Sequence, residues 1–176
     1  MTVIRSKKGL DLPLAGVPAA TVEDARAVSS VAILGPDYPG LKPALKVDVG
    51  DRVALGQVLI EDKQRAGVRY TAPAGGTVTA IHRGERRALV SIVIAVDDSV
   101  PPLAFSGYRG LEARLDDAAV RALLLESGLW TALRTRPFSK VAAPDARPAA
   151  IFVTATDTRP HAAAPATVIR PRGDDF

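Results

Sequence analysis

Five residues in one segment of the second half of the chain combine positive charge with aromatic rings. The segment runs from Ser127 to Lys140, is called the 127–140 loop below, and contains Trp130, Arg134, Arg136, Phe138 and Lys140. Cationic side chains form charge-assisted hydrogen bonds with anions, and aromatic and arginine side chains are enriched at protein interfaces. We therefore predict that these residues contact a neighbouring subunit or an anionic ligand. A second interpretation stays open, in which Trp130 and Phe138 fill a core between two domains and the arginines cap helix ends.

Residue types that support redox or metal chemistry are scarce. The chain has no cysteine, which excludes disulfides, thiolate metal sites, cysteine-ligated iron–sulfur clusters and a cysteine nucleophile. The two histidines, His82 and His161, are far apart in sequence, so a histidine-based metal site is not expected. Nothing in the sequence places His82 beside Asp62 for acid–base catalysis. We therefore predict no catalytic residue and no metal ligand.

The charge pattern argues against nucleic acid as a partner. The net charge is +4, and the arginines are scattered among aspartates and glutamates. Binding a phosphate backbone requires cations gathered on one face, and Arg86-Arg87 reads as part of a solvated surface. No run of residues approaches the roughly 20 apolar positions that span a bilayer. Any membrane association is therefore expected to be peripheral.

Short apolar runs separated by turn residues predict β-structure over residues 1–100. Examples are Val31–Leu34, Val58–Ile60 and Val90–Val96, with turn signals about every 8–12 residues. Gly50-Asp51 and Gly56 are placed to make tight bends, because glycine adopts positive φ without steric cost. The pattern of these bends with the return at Ala72-Pro73 resembles the barrel-sandwich hybrid of biotinyl and lipoyl carrier domains.

In such carriers a lysine at a hairpin tip is covalently loaded, and Lys63 lies near the corresponding place. The stretch from Lys63 to Ala72 is longer than in carriers, and no methionine flanks the lysine. We therefore favour an exposed, unmodified lysine. A free-standing biotinyl- or lipoyl-like carrier or binding module is the alternative, and it would add a biotinyl or lipoyl increment to the intact mass.

The composition changes after residue 100. Residues 101–148 are predicted to be a linker with a helix over about 117–127, with Asp116 or Asp117 as N-cap and Gly128 after its end. Residues 149–176 begin with the apolar run Ala149–Thr154, which has the pattern of a buried parallel strand. The proline-containing residues after Thr154 cannot complete a sheet. We therefore expect an α+β chain that ends at the start of a truncated α/β domain.

Several ordered segments carry a family resemblance. They are Lys7–Gly16, Glu61–Lys63, Tyr70–Val78, Arg83–Arg87, Glu126–Val141 and Ile151–Thr158. Together they are similar to the A subunit of the sodium-translocating NADH:quinone oxidoreductases, over nearly the whole chain and more weakly after Pro160. Members of that family are longer and continue with Rossmann-like, β-grasp-like and helical parts.

The resemblance implies a place in a translocase of the respiratory chain that oxidises NADH, reduces ubiquinone and pumps sodium. It implies a peripheral subunit on the cytoplasmic face of the bacterial inner membrane, with a structural, docking role among the other subunits and a contribution to quinone access. FAD, FMN, riboflavin and a 2Fe-2S cluster are implied for other subunits. This chain is expected to hold no cofactor and not to be catalytic alone.

Distant relatives of the family, the flavin subunit of respiratory complex I and the C subunit of the Rnf complex, carry a glycine-rich flavin loop where this chain has the 127–140 loop. Glycines there let backbone N–H groups approach a flavin phosphate. Gly128 is the glycine that remains here, while Trp130, Leu133 and Phe138 add bulk and Pro137 removes a donor. The comparison implies that FMN binding has been lost.

Overall fold

A computed structural model of the 176-residue chain describes residues 14–108, 110, 114–154, 156–157, 159 and 161–175. The first 13 residues of the predicted β region, 1–100, lie outside the described residues. The chain divides into two compact units. The larger unit is residues 27–147, and the smaller combines the chain before residue 27 with the chain from residue 148 onward.

The larger unit contains two antiparallel sheets. The strands are β1 Ser30–Leu34, β2 Pro43–Leu45, β3 Arg52–Val53, β4 Val58–Asp62, β5 Arg69–Thr71, β6 Gly76–Arg83 and β7 Leu89–Val96. One sheet has the order β1-β7-β6-β3 and the other the order β2-β4-β5. Within the predicted β region, 1–100, strands are therefore present from Ser30 to Val96.

The core lies between the inward faces of these strands. In β7, Ile92 and Ile94 are completely buried, whereas Val93 between them is partly exposed, because successive side chains of a strand point to opposite faces. Leu59, Ile60 and other small aliphatic side chains complete the core. Each fully buried side chain of this size contributes roughly 1.5–3 kcal/mol through removal of apolar surface from water.

The bends predicted at Gly50-Asp51 and at Gly56 are present in the structure. The Asp51 N–H donates to the Asp48 carbonyl at 3.2 Å and closes the turn at Gly50-Asp51. Gly56 has a φ of +87°, and a Cβ there would lie 2.9 Å from Cζ of Phe105. The bend at Gly56 therefore needs glycine both for its backbone conformation and for the close approach of the Phe105 ring.

Helix α1 spans Asp117–Ser127, and Asp116 is its N-cap, which settles the choice that the sequence left open. The Asp116 carboxylate accepts a hydrogen bond from the Ala119 N–H at 2.7 Å, satisfying one of the free donors of the first turn. Leu124 and Leu125 pack against the core, while Val120 is exposed. The helix is thus held to the sheets by its C-terminal half.

The strand predicted for Ala149–Thr154 is wrong. These residues are outside any helix or strand, and the side chains of Phe152 and Val153 are 86% and 87% exposed. A parallel strand requires a hydrogen-bonded neighbour, and within the described residues no strand pairs with this run. Among the described residues of this unit, the regular structure is instead a short helix α2, Pro165–Ile169, and a 3₁₀ helix over Arg170–Asp175.

Tyr70, at the centre of β5, links the core to the 3₁₀ turn Gly35–Asp37 that follows β1. Its ring meets that of Tyr38 edge-to-face, with 4.6 Å between centroids and 79° between planes. Tyr70 is 2% exposed. Burial, followed by the negative charge of Asp62, raises the pKa of Tyr70 to about 12 from the ordinary value of 10.0.

This pKa predicts a loss of stability in alkali. An unfolded tyrosine ionises near pH 10 and folded Tyr70 near 12, so the free energy of unfolding is unaffected below pH 10 and falls as the pH rises between these values. The loss is on the order of 2 kcal/mol at the upper end. Denaturant unfolding of Tyr70→Phe should lack this fall, while Tyr108→Phe, at an exposed position, should retain it. Identical alkaline profiles for Tyr70→Phe and the unaltered chain would contradict the assignment.

Candidate interface loop and its anchors

The 127–140 loop begins where α1 ends against β5. Gly128 has a left-handed backbone with φ +79°, and the Thr71 hydroxyl donates to the Ser127 carbonyl at 3.1 Å. A Cβ at Gly128 would lie 2.6 Å from Oγ1 of Thr71. Gly128 is therefore required both to end α1 and to let the end of the helix approach Thr71 of β5.

Trp130 holds the loop to the core. It lies in the 3₁₀ turn Leu129–Ala132 and is 4% exposed. Its indole Nε1–H donates to the Ala142 carbonyl at 2.9 Å, and the Arg121 guanidinium lies 5.8 Å from the ring centroid. A buried indole needs a hydrogen-bond acceptor, and here that acceptor joins the two ends of the loop.

Arg134 is the second anchor. Its guanidinium lies over the ring of Tyr38, 4.6 Å from the centroid, in a cation–π arrangement. The same group donates to the carbonyls of Asp37 at 3.1 Å and Ser139 at 3.2 Å. Arg134 thus binds the loop to the turn after β1 and also closes the loop on itself.

The tip of the loop projects outward. Arg134 and Val141 form an isolated antiparallel bridge, and both the N–H and the hydroxyl of Thr135 donate to the Lys140 carbonyl at 2.8 and 3.1 Å. The side chains beyond this closure, Arg136, Phe138 and Lys140, are exposed, with Phe138 at 72%. The structure therefore gives Trp130 and Arg134 side-chain contacts that anchor the loop, although Arg134 is itself exposed, and leaves Arg136, Phe138 and Lys140 exposed.

Other residues considered in the sequence have separate surroundings. The buried Asp62 pairs with Arg65 at 2.8 Å, and His82 lies 2.9 Å from the Ser91 hydroxyl through Nδ1. In the described ranges, no three His, Cys, Asp or Glu side chains are grouped so that they could hold a metal ion. Lys63 is exposed at the base of the β4–β5 loop, and its N–H donates to the Lys42 carbonyl at 2.9 Å.

Sequence reasoning missed one cationic surface. A groove of about 900 Å³ lies between residues 35–45 and the β6–β7 turn. Its lining includes five cations: Lys42, Lys63, Arg83, Arg86 and Arg87. The sequence assigned Arg86-Arg87 to a solvated surface because the lysines that complete the groove are far away in the chain. The sequence does contain a signal for this surface, because two arginines stand in a hairpin turn where asparagine and glycine are usually found.

These features define the larger unit as a barrel-sandwich hybrid: two short antiparallel sheets, glycine bends between them, and a β4–β5 hairpin with an exposed lysine at its base. Within the part of the chain that is described, no helix is long and apolar enough to cross a membrane.

Comparison with known proteins agrees with this class. Residues 4–97 match the family model described as the NqrA N-terminal barrel-sandwich hybrid domain, and residues 115–176 match the NqrA second alpha/beta domain. The chain belongs to the NqrA family. The predicted fold class, a barrel-sandwich hybrid followed by the beginning of an α/β domain, is confirmed by these matches.

Close relatives carry one shared name, the A subunit of the Na(+)-translocating NADH-quinone reductase. The chain is 54% identical over 175 residues to this protein from Pseudomonas aeruginosa, and 53% identical to that from Shewanella amazonensis. The protein from Neisseria meningitidis serogroup C is 52% identical. Each alignment covers 99% of this chain and 39% of the relative, so the chain spans about two fifths of the relatives' length.

The contact between Gly128 and Thr71 gives a stability prediction. Gly128→Ala should lower the free energy of unfolding by about 2–4 kcal/mol, because it adds both positive-φ strain and a clash with Thr71. Gly67→Ala is the matched control, since its φ of +86° is similar and nothing lies within 4 Å of the added Cβ. That variant should lose only about 1–2 kcal/mol. Equal losses for the two variants in denaturant unfolding would show that the Thr71 contact contributes nothing.

Proposed function

We propose that this chain is a docking part of the peripheral A subunit in a sodium-translocating NADH:quinone reductase, at the cytoplasmic face of the bacterial inner membrane. Its partners are the other subunits of that complex, which hold FAD, FMN, riboflavin and the 2Fe-2S cluster. The chain supplies contacts and does no redox chemistry alone. The resemblance and the names of its relatives support this placement, and the geometry of the 127–140 loop supports the docking role.

The observation that carries the docking role is the presentation of Phe138. This large aromatic side chain is 72% exposed and is flanked in sequence by Arg136 and Lys140, which are also exposed. Exposing an aromatic ring to water costs free energy that contact with a partner recovers, and aromatic side chains with arginine dominate interface energetics. The anchors Trp130 and Arg134 hold the base of the loop, which lowers the entropy cost of ordering it on binding.

Capture of the partner subunits tests this proposal. The tagged chain is mixed with detergent-solubilised membranes that contain the remaining subunits, and captured proteins are identified by mass. The triple variant Arg136→Ala/Phe138→Ala/Lys140→Ala should recover at least about tenfold less partner, because truncation of an interface centre costs about 2 kcal/mol or more.

The control removes one exposed aromatic and two exposed cations from other places. Tyr108→Ala/Arg114→Ala/Arg147→Ala changes the same residue classes at positions that are exposed in the structure. It should capture as much partner as the unaltered chain. If the unaltered chain captures no flavoprotein partner, or if both triple variants lose capture equally, the docking role of this loop is refuted.

The contribution to quinone access has its own support. A cavity of about 540 Å³ beside the loop is lined by aromatic and apolar side chains that include Tyr38, Leu103 and Phe105, with Arg134 at its wall. Flat rings stack on such walls, and a guanidinium donates to a carbonyl oxygen. The cavity thus has the chemistry to receive the headgroup of ubiquinone.

A fluorescence titration tests the quinone site. Trp130 is the chain's single tryptophan, so a short-chain, water-soluble ubiquinone analogue bound near the loop should quench its emission saturably. Phe105→Ala should weaken this binding by about three- to tenfold through loss of stacking. Phe152→Ala removes an exposed ring from the other unit and should have no effect. Linear, unsaturable quenching would count against a site.

A further inference from the structure

The groove between residues 35–45 and the β6–β7 turn concentrates positive charge. Two lysines and three arginines line it, a formal charge of +5, and its lining contains no aspartate or glutamate. The remaining walls come from glycine, proline, leucine, alanine and tyrosine residues. Its volume of about 900 Å³ lies in the range of small-molecule sites, roughly 300–1,000 Å³.

Two nearby carboxylates, those of Glu61 and Asp62, are engaged with cations outside the groove. Glu61 pairs with Lys46 at 2.8 Å, and this hydrogen bond is the largest cause of the lowered pKa of Glu61. Asp62, next to Lys63 in sequence, is buried against Arg65. In the described part of the chain, none of the five groove cations forms an ion pair. Their charge therefore acts on whatever enters the groove.

Backbone contacts fix the two lysines in one wall. The Lys63 N–H donates to the Lys42 carbonyl at 2.9 Å, which joins the end of β4 to the segment before β2. Gly40 lies in the same wall, and a Cβ there would be 3.9 Å from Cε of Lys140. A further ammonium group of the 127–140 loop therefore approaches the groove from its rim.

The β6–β7 turn contributes two arginines to the groove from a strained backbone. The Ala88 N–H donates to the Glu85 carbonyl at 3.0 Å, and the two residues between them, Arg86 and Arg87, have φ of 52° and 60°. This is the pattern of a type I′ hairpin turn, which favours asparagine and glycine because both central residues need positive φ. Two arginines therefore occupy turn positions at which asparagine and glycine would adopt the backbone conformation at lower free-energy cost. Such local strain is a reason to look for a function.

We propose that this groove binds a ligand carrying adjacent phosphate groups. Guanidinium groups match phosphate oxygens through paired N–H donors, and ammonium groups act as point charges. Lysine and arginine side chains that line one groove suit a ligand with several negative charges close together. The ligand is a soluble polyphosphate-containing molecule or an anionic phospholipid headgroup, which share this chemistry. The five cations that line the groove are separate from the docking residues, and Lys140 at its rim is shared with them.

Substitutions in this turn allow a test in which the stability is equal or higher while the affinity for the ligand falls. The 176-residue chain is titrated calorimetrically with inorganic tripolyphosphate at fixed ionic strength. Arg86→Asn/Arg87→Gly supplies the residues that a type I′ turn prefers, so its unfolding midpoint should be equal or higher. Its affinity for tripolyphosphate should fall by about tenfold or more, because charge-assisted hydrogen bonds are lost. Arg86→Lys/Arg87→Lys keeps the charge and should retain most of the binding.

Matched controls separate a built site from general surface charge. Arg114→Asn/Arg147→Gly removes two positive charges elsewhere and should leave the affinity unchanged.

Sedimentation with phosphatidylglycerol vesicles distinguishes the two sources of the ligand. Binding to tripolyphosphate alone indicates a soluble ligand, and binding to vesicles that is abolished by Arg86→Asn/Arg87→Gly indicates a phospholipid headgroup. The proposal is overturned if neither probe binds, if the control variant loses as much affinity, or if a glutamate-rich peptide of equal charge binds as tightly as tripolyphosphate.

Discussion

The buried indole of Trp130 is the contact on which the arrangement of the 127–140 loop depends. Its ring is buried in the core and so removed from water. Its N–H donates to the carbonyl of Ala142, which lies just after the loop. The hydrogen bond is modest in net free energy, about 1 kcal/mol, but leaving the buried donor unpaired would cost more. The chain before and after the loop is therefore brought together at one place, and the residues between must project from it.

A second set of contacts divides the cations of the loop by function. Arg134 stacks on Tyr38, which in turn packs edge-to-face on buried Tyr70. This column runs from the surface to the core and fixes one guanidinium as a structural element. Arg136 and Lys140, close in sequence and identical in charge, remain exposed. Charge alone therefore does not identify a binding residue, because the partner of each cation is decided by the fold around it.

The same unit presents a second cationic surface from unrelated parts of the chain. Lys42 and Lys63 are joined by a backbone hydrogen bond, and Arg86 and Arg87 of the β6–β7 turn line the same groove. Lys63, the hairpin lysine that suggested a carrier domain, lines this groove. In a barrel-sandwich hybrid, short loops from distant strands converge at the ends of the sheets, so a lysine at such an end acquires neighbours that its sequence context does not contain.

The local features of this protein can be predicted from its sequence. Apolar runs and glycine bends at Gly50 and Gly56 predicted the β-rich unit, an aspartate at 116 or 117 and Gly128 predicted the ends of α1, and ordered segments indicated the family. These features depend on neighbours a few residues apart. The tertiary structure alone decided that Trp130 is buried and Phe138 exposed, that Arg134 rests on Tyr38, and that five distant cations share a groove, because each requires residues far apart in the chain. It also showed that Ala149–Thr154 is not a strand, since an apolar pattern forms one only where a neighbouring strand supplies hydrogen bonds.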